Sequence, residues 1–314
     1  QSRREPWRSG RVHRAVTTFH DLVRTGLHQP VRAEILAMAS ALQHELRGTA
    51  VLFYGSALRT GDLDGVLDFY VLRAGKPRRS LVSWLWPDVS YHEKEIGGRI
   101  VRAKVATMPL ETFERAARGK TIDTTIWTRF SQPARLLLAD DDAIVNRIES
   151  AVMASVVTAS RFAAALGPSS GVPGDYWRAL FAQTYGAEFR VERQGRGNSI
   201  LAADPAYYDA VLRHAWTQIG LIAPEPTAVL HPLIGDTMRK RSLRQWLVRK
   251  WAGKPLNMAR LVKAAWTFDG ATRYALWKIE RHSGVHIPVT PWRESHPVLA
   301  APGVLFRLWR AARS

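Results

Sequence analysis

Two β-rich runs, AVLFYGS at 50–56 and GVLDFYVL at 65–72, constrain this 314-residue chain more than any other feature. Each is a short, continuous stretch rich in branched and aromatic residues with glycine at one end, the pattern of a β-strand. The first closes on Gly-Ser; the second carries a carboxylate, Asp68, inside its apolar run. Two apolar-periodic stretches in 12–47, VHRAVTTFHDLVRTG and VRAEILAMASALQHELR, predict helices broken at His28-Gln29-Pro30. Downstream, SYHEKEI (90–96) and RIVRAKVATM (99–108) read as strands joined by Gly97-Gly98, and ARLLLA (134–139) as one more. LVSWLW (81–86) reads as a short helix, and PLETFERAARG (109–119) as another, with proline at its start and glycine after its end.

Residues 1–140 are therefore expected to form a mixed α/β domain with N-terminal helices. Beyond Asp140 the pattern is helical: 142–166, ending at Gly167-Pro168, then 175–190 and 205–219, giving a helical middle domain over 141–223. Asp140, Asp141 and Asp142 sit where negative charge caps a helix. PEPTAVLHPLIGD (224–236) is a proline-rich connector into a basic, tryptophan-rich segment that fills out 224–314.

The absence of cysteine excludes disulfides, thiolate metal sites and thiol chemistry. The ten histidines show no HExxH-like spacing, so no zinc site is expected. No apolar run reaches the roughly 18 residues of a membrane span, and the opening QSRREPWRSGRVHR lacks the apolar core of a secretory signal. With 45 Lys and Arg against 27 Asp and Glu, the formal charge is +18, which calls for a polyanionic partner: nucleic acid, a nucleotide or an anionic membrane.

A strand ending in Tyr54-Gly55-Ser56, a loop, and a second strand bearing Asp68 can build a nucleotide site. Glycine lets the backbone approach a phosphate, and the serine hydroxyl and nearby N–H groups bond it. A strand aspartate can hold Mg²⁺ on the triphosphate. A second carboxylate two residues on would share its face, but that position is Tyr70. Asp62, Asp64, Glu93 and Glu95 are supplementary candidates among which spacing does not choose. A tight turn with a capping aspartate fits the same residues.

The run YGSAL…LDFYVL, with the Trp-rich segment and the His-containing strand after it, resembles the peripheral phosphatidate cytidylyltransferases of the mitochondrial translocator assembly and maintenance type and their bacterial relatives. In that family a YGSG element precedes a strand with a single metal-binding aspartate; Ala57 replaces the last glycine here, and Asp68 takes the aspartate position. RIVRAKVAT (99–107) resembles the family's basic strand, with Arg102 or Lys104 as the counterpart. WTRFSQPARLL (127–137) matches an arginine followed by a proline, placing Arg129 and Pro133. TYGAEFR (184–190) resembles a helical SY-x-G-D-x-R element, keeping Tyr185 and Arg190 with Glu188 at the acid. The resemblance covers about 48–215.

It implies a nucleotidyltransferase-like fold and the reaction CTP plus phosphatidic acid to CDP-diacylglycerol and pyrophosphate, with Mg²⁺. It further implies Tyr54, Gly55, Ser56 and Arg129 on the nucleotide, and Asp68 on the metal. Lys104 and Arg102 would act on the phosphates, with Tyr185, Glu188, Arg190 and His92 in support. The implied location is cytoplasmic, peripheral on the inner face of a bacterial membrane, ahead of the mitochondrial matrix side.

Residues 238–281 hold twelve Lys or Arg against only Asp269 and Glu280, together with Trp246, Trp251, Trp266 and Trp277; Trp292 and Trp309 follow. Tryptophan favours the membrane–water interface and basic residues favour anionic headgroups. The expectation is an interfacial helix docked through Trp246, Arg249, Lys250 and Trp251, with VLFRLWRAAR (304–313) as a second, smaller one. A packed core with a solvated basic face is the rival reading. Nucleic acid is the less favoured partner, because no RNA-binding signature is present and the basic residues gather in one terminal segment. A nucleotidyltransferase acting on RNA or another phosphorylated lipid, and a lipid-binding relative without turnover, remain the alternative functions.

Overall fold

The computed structural model describes residues 18–75, 85–187, 196–223, 227–267, 270–283, 287, 288, 290–292 and 303. Its helices are α1 (Phe19–Leu27), α2 (Ala33–Leu46), α3 (Ser56–Thr60), α4 (Leu110–Ala117), α5 (Thr125–Phe130), α6 (Asp142–Leu166), α7 (Pro173–Ala187), α8 (Arg196–Ala203), α9 (Pro205–Gln218), α10 (Asp236–Thr267) and α11 (Ala271–Ser283). Its strands are β1 (Ala50–Tyr54), β2 (Val66–Arg73), β3 (Asp88–Ile96), β4 (Arg99–Pro109) and β5 (Ala134–Ala139). All five strands fall where the apolar runs predict them. Of the expected helix at 81–86, residues 81–84 lie outside the described residues, as does the segment 304–313.

The strands form one mixed sheet in the order β3-β4-β2-β1-β5. Only β2 and β4 run parallel. Both faces are covered, which is why β1 and β2 read as unbroken apolar runs. On one face Val51, Phe53, Leu67, Phe69 and Val71 pack against α2 and Ala57 of α3. On the other, Leu52, Tyr70, Leu72 and Leu136 join a larger core that continues through α1, α4–α9 and Trp246 of α10. Residues on both sides of Asp140 contribute to this single cluster. Trp127, Trp177 and Trp216 are its largest fully buried side chains.

Local signals fix the helix ends. Asp141 caps α6, its carboxylate accepting from the Ile144 N–H at 2.8 Å, as the aspartate triplet predicts. Pro109 is itself the N-cap of α4 rather than its first residue. The helices α3, α5 and α8, of five, six and eight residues, were not foreseen, being too short to show a 3.6-residue period.

Where α4 meets α6, Arg147 donates from Nε and Nη2 to the two oxygens of Glu114 at 2.8 and 2.9 Å. The pair holds the Glu114 carboxyl below its ordinary value. Because the folded-state pKa is the lower one, the stabilisation is present above the unfolded-state value near 4.5 and is lost as pH falls through the depressed value. Thermal melts from pH 7 down to pH 3 should therefore show less acid destabilisation in Arg147→Ala than in the parent chain. An equal loss would remove the pair from the acid response.

Candidate functional site

One cross-strand row assembles the predicted residues. Tyr54 pairs with Asp68 between β1 and β2; Asp68 pairs with Lys104 across the parallel β2–β4 ladder; Lys104 pairs with Tyr91 of β3. Two pairs further along, Val66 stands beside Arg102, and Arg102 beside Glu93. Partners in register share a face, so Tyr54, Asp68, Lys104 and Tyr91 all project from the side that carries Tyr70.

Gly55 follows β1 at φ +96°, ψ −158°, a conformation closed to residues with a side chain. A Cβ there would lie 2.7 Å from Asp68 Oδ2. The glycine is thus required twice, by its backbone angles and by the carboxylate packed against it. Ser56 starts α3 and is exposed.

Tyr70, which stands where a second carboxylate would lie, is fully buried. Its hydroxyl and that of Tyr54 accept from Nη1 of Arg129, at 3.1 and 2.9 Å, and the Arg129 guanidinium lies 5.4 Å from the Tyr54 ring centroid. Burial pushes the Tyr70 phenol up, so it stays neutral. The position is therefore used to orient a cation rather than to ligate a metal, and sequence alone had marked it as a departure. Arg129 itself rides on α5, whose buried residues fix the turn that aims it.

Arg102 donates from Nε to Glu93 Oε1 at 3.1 Å, and the Tyr91 hydroxyl donates to the same oxygen at 2.8 Å. Burial and the Glu93 charge both push the Tyr91 phenol up. Of the supplementary carboxylates, Glu93 is thus engaged by Arg102 and Tyr91, and Asp64 by Arg99 at 3.2 Å. Among the described residues no group of three or more His, Asp or Glu could hold a metal ion. A lone Asp68 still suits Mg²⁺, which commonly uses one or two carboxylates and takes its other ligands from water and substrate phosphate.

His92 does not join the site. It alternates with Tyr91 and Glu93 and so faces the opposite side of the sheet, where its ring contacts Ser90 Oγ at 2.8 Å and Glu45 of α2 at 3.1 Å. Tyr185 lies within α7, away from the sheet row in sequence and element, and Glu188 and Arg190 are outside the described residues.

The C-terminal helices supply what the sequence did not suggest. Tyr274 of α11 packs tilted against Tyr91 at 5.4 Å between centroids, and its phenol is pushed up first by burial and then by the negative charge of Asp68. Trp277 lies beneath both Arg102 and Arg281, 5.5 and 5.3 Å from its ring. Arg281 donates to the Asp64 carbonyl at 3.0 Å. Arg260 of α10 pairs with buried Asp123, and Lys263 with Asp88. Helix α11 thus closes one side of the Asp68 site, through contacts more than 170 residues apart that local periodicity cannot reveal.

Two of the four expected membrane contacts are corrected. Trp246 is only 3% exposed and packs on Phe162 of α6. Arg249 is buried, donating from Nη2 to the carbonyls of Gly119 and Thr121 at 2.7 and 2.9 Å. Three residues apart, they share the face of α10 turned to the core. Trp251, at 81% exposed, and Lys250 lie on the outer face, with Leu247, Val248 and Met258 also exposed. No helix among the described residues is long and apolar enough to cross a membrane.

No known family model matches the chain, and no curated protein matches it.

Gly55→Ala should lower stability by about 1–3 kcal/mol through the strained backbone alone, with the Asp68 clash adding to it. Urea unfolding of the variant checks this; an unchanged midpoint would contradict the close approach. In the same assay Trp246→Ala should cost about 3–5 kcal/mol, as a buried tryptophan does, while Trp251→Ala should leave the midpoint within about 0.5 kcal/mol.

Proposed function

We propose that the chain is a Mg²⁺-dependent nucleotidyltransferase working at an anionic membrane, and that it transfers CMP from CTP to phosphatidic acid. The observation that carries this reading is the packing of Gly55 against Asp68 with Lys104 in register beside it, which sets a phosphate-approaching turn, a carboxylate and an ammonium on one face. A nucleotidyltransferase-like identity for the α/β part rests on this arrangement and on the sequence resemblance.

In this reading Asp68 holds Mg²⁺, which neutralises triphosphate charge. Gly55 lets the Asp68 carboxylate sit against the turn, and the Ser56 hydroxyl donates to the triphosphate. Lys104 and Arg102 face the charge that develops as a lipid phosphate oxygen bonds to the α-phosphorus and the bond to the β-phosphate breaks, releasing pyrophosphate. Such a transfer needs positioning and charge stabilisation more than covalent help. Arg129, fixed between Tyr54 and Tyr70, adds a cation whose direction is set before substrate arrives.

The lipid acceptor lives in a bilayer, and α10 offers the docking face. Leu247, Val248, Trp251 and Met258 follow a helical spacing along its outer side, with Arg244, Lys250 and Lys254 exposed around them. Each basic residue near an anionic surface adds about 1 kcal/mol of attraction. Docking there is interfacial rather than spanning.

Pyrophosphate release should appear with CTP, Mg²⁺ and phosphatidic-acid liposomes, and fall at least about 100-fold in Asp68→Asn. Trp251→Ala with Leu247→Ala should weaken liposome sedimentation without loss of fold. Release that needs no lipid, or that proceeds on RNA ends, would replace the acceptor. No turnover with any nucleotide would leave a lipid-binding protein without this chemistry.

A further inference from the structure

A cleft of about 170 Å³ opens between α1, α3, the start of β5 and the α8–α9 turn, and neither Asp68, Lys104, Arg102 nor Arg129 lines it. Its most unusual wall is Arg135 of β5, only 5% exposed. Nη1 of Arg135 donates to the Ala134 carbonyl and Nη2 to Gln29 Oε1, while its Nε–H is buried without an acceptor. Among the described residues Arg135 makes no ion pair. Burial pushes its pKa down, yet a guanidinium stays charged at any ordinary pH. Asp204 lies close enough to offset part of that burial without forming an ion pair, so the guanidinium keeps one unspent donor and only partial compensation, which is costly unless something supplies more anion.

Arg59 of α3 is the second cation on the wall. The one carboxylate there, Asp204, is already committed to the end of α9, accepting from the Tyr207 N–H at 3.0 Å. Two guanidinium groups against one carboxylate leave a single uncompensated positive charge. The rest of the wall is mixed, with Leu22, Leu58 and Ile200 forming an aliphatic side and Thr25 and Gln132 a polar one. A dry cavity of similar size is known to take benzene, so the cleft has room for about six to ten non-hydrogen atoms.

We propose that this cleft binds a small organic acid carrying one negative charge on a short apolar body, its carboxylate received by Arg135 and Arg59 and its hydrocarbon part by the aliphatic wall. Although Arg59 shares the short helix α3 with Ser56, none of Asp68, Lys104, Arg102 and Arg129 lines the cleft, and the proposal does not depend on the nucleotide chemistry. Inorganic phosphate lacks the apolar body, and a neutral alcohol lacks the charge.

Isothermal titration of the full chain with hexanoate, hexan-1-ol and inorganic phosphate tests this. Hexanoate should bind saturably and at least about tenfold more tightly than either of the others, because a hydrogen-bonded charge adds that much. Arg135→Met and Arg59→Ala should each weaken hexanoate by about tenfold or more, and Ala203→Phe, which fills the cleft from an exposed rim position, should abolish binding. Should Arg135→Met unfold, the two rim variants carry the test. Equal binding of hexanoate and hexan-1-ol would reduce the cleft to an apolar slot and overturn the proposal. So would the absence of saturable hexanoate binding, or binding indifferent to Arg59→Ala and Ala203→Phe.

Discussion

The parallel pairing of β2 with β4 is the constraint on which the candidate site depends. It alone sets Asp68 against Lys104, because the two residues lie in strands separated by β3 and a glycine turn. Everything else in the row follows from register: Tyr54 on one side, Tyr91 on the other, and Gly55 stripped of a side chain because the Asp68 carboxylate occupies the space. Slip β2 by one residue and Asp68 would turn toward α2, into the packed layer of Val51 and Phe53, while Phe69 would leave it. The apolar residues flanking Asp68 on β2, buried between helices on both faces, are what forbid that slip.

The C-terminal helices serve two surfaces at once. One side of α10 is core, with Trp246 and Arg249 locked against α6 and the α4–α5 loop; the opposite side presents Trp251 among exposed aliphatic and basic residues. Beyond it, α11 lays Tyr274 and Trp277 over the sheet row. The helix proposed to face a membrane is thus held in the same core that positions the candidate site.

Strands β1 and β2 were legible because burial on both faces writes itself as a continuous apolar run, and β5 emerged with the bounds that ARLLLA implies. Asp68, Gly55 and Ser56 stood out for the same reason: they break such runs. Which face a residue takes relative to Asp68 was not legible, since it depends on pairing between strands. That is why His92 lies behind the sheet and Tyr70 became an orienting partner of Arg129 instead of a missing ligand. The tail misled in another way. Tryptophan and arginine suit a bilayer interface and a protein interface equally, and only the three-dimensional neighbours of Trp246 and Trp251 separate the two.

The central claim, that Asp68 holds a divalent ion against a nucleotide triphosphate, is tested most directly by ³¹P NMR of CTP with the protein and substoichiometric Mn²⁺. The expected result is broadening beyond that of Mn²⁺ with CTP alone, present with the parent protein and lost with Asp68→Asn, while the variant keeps its fold. CTP that binds equally well without a divalent ion, or broadening untouched by Asp68→Asn, would contradict it.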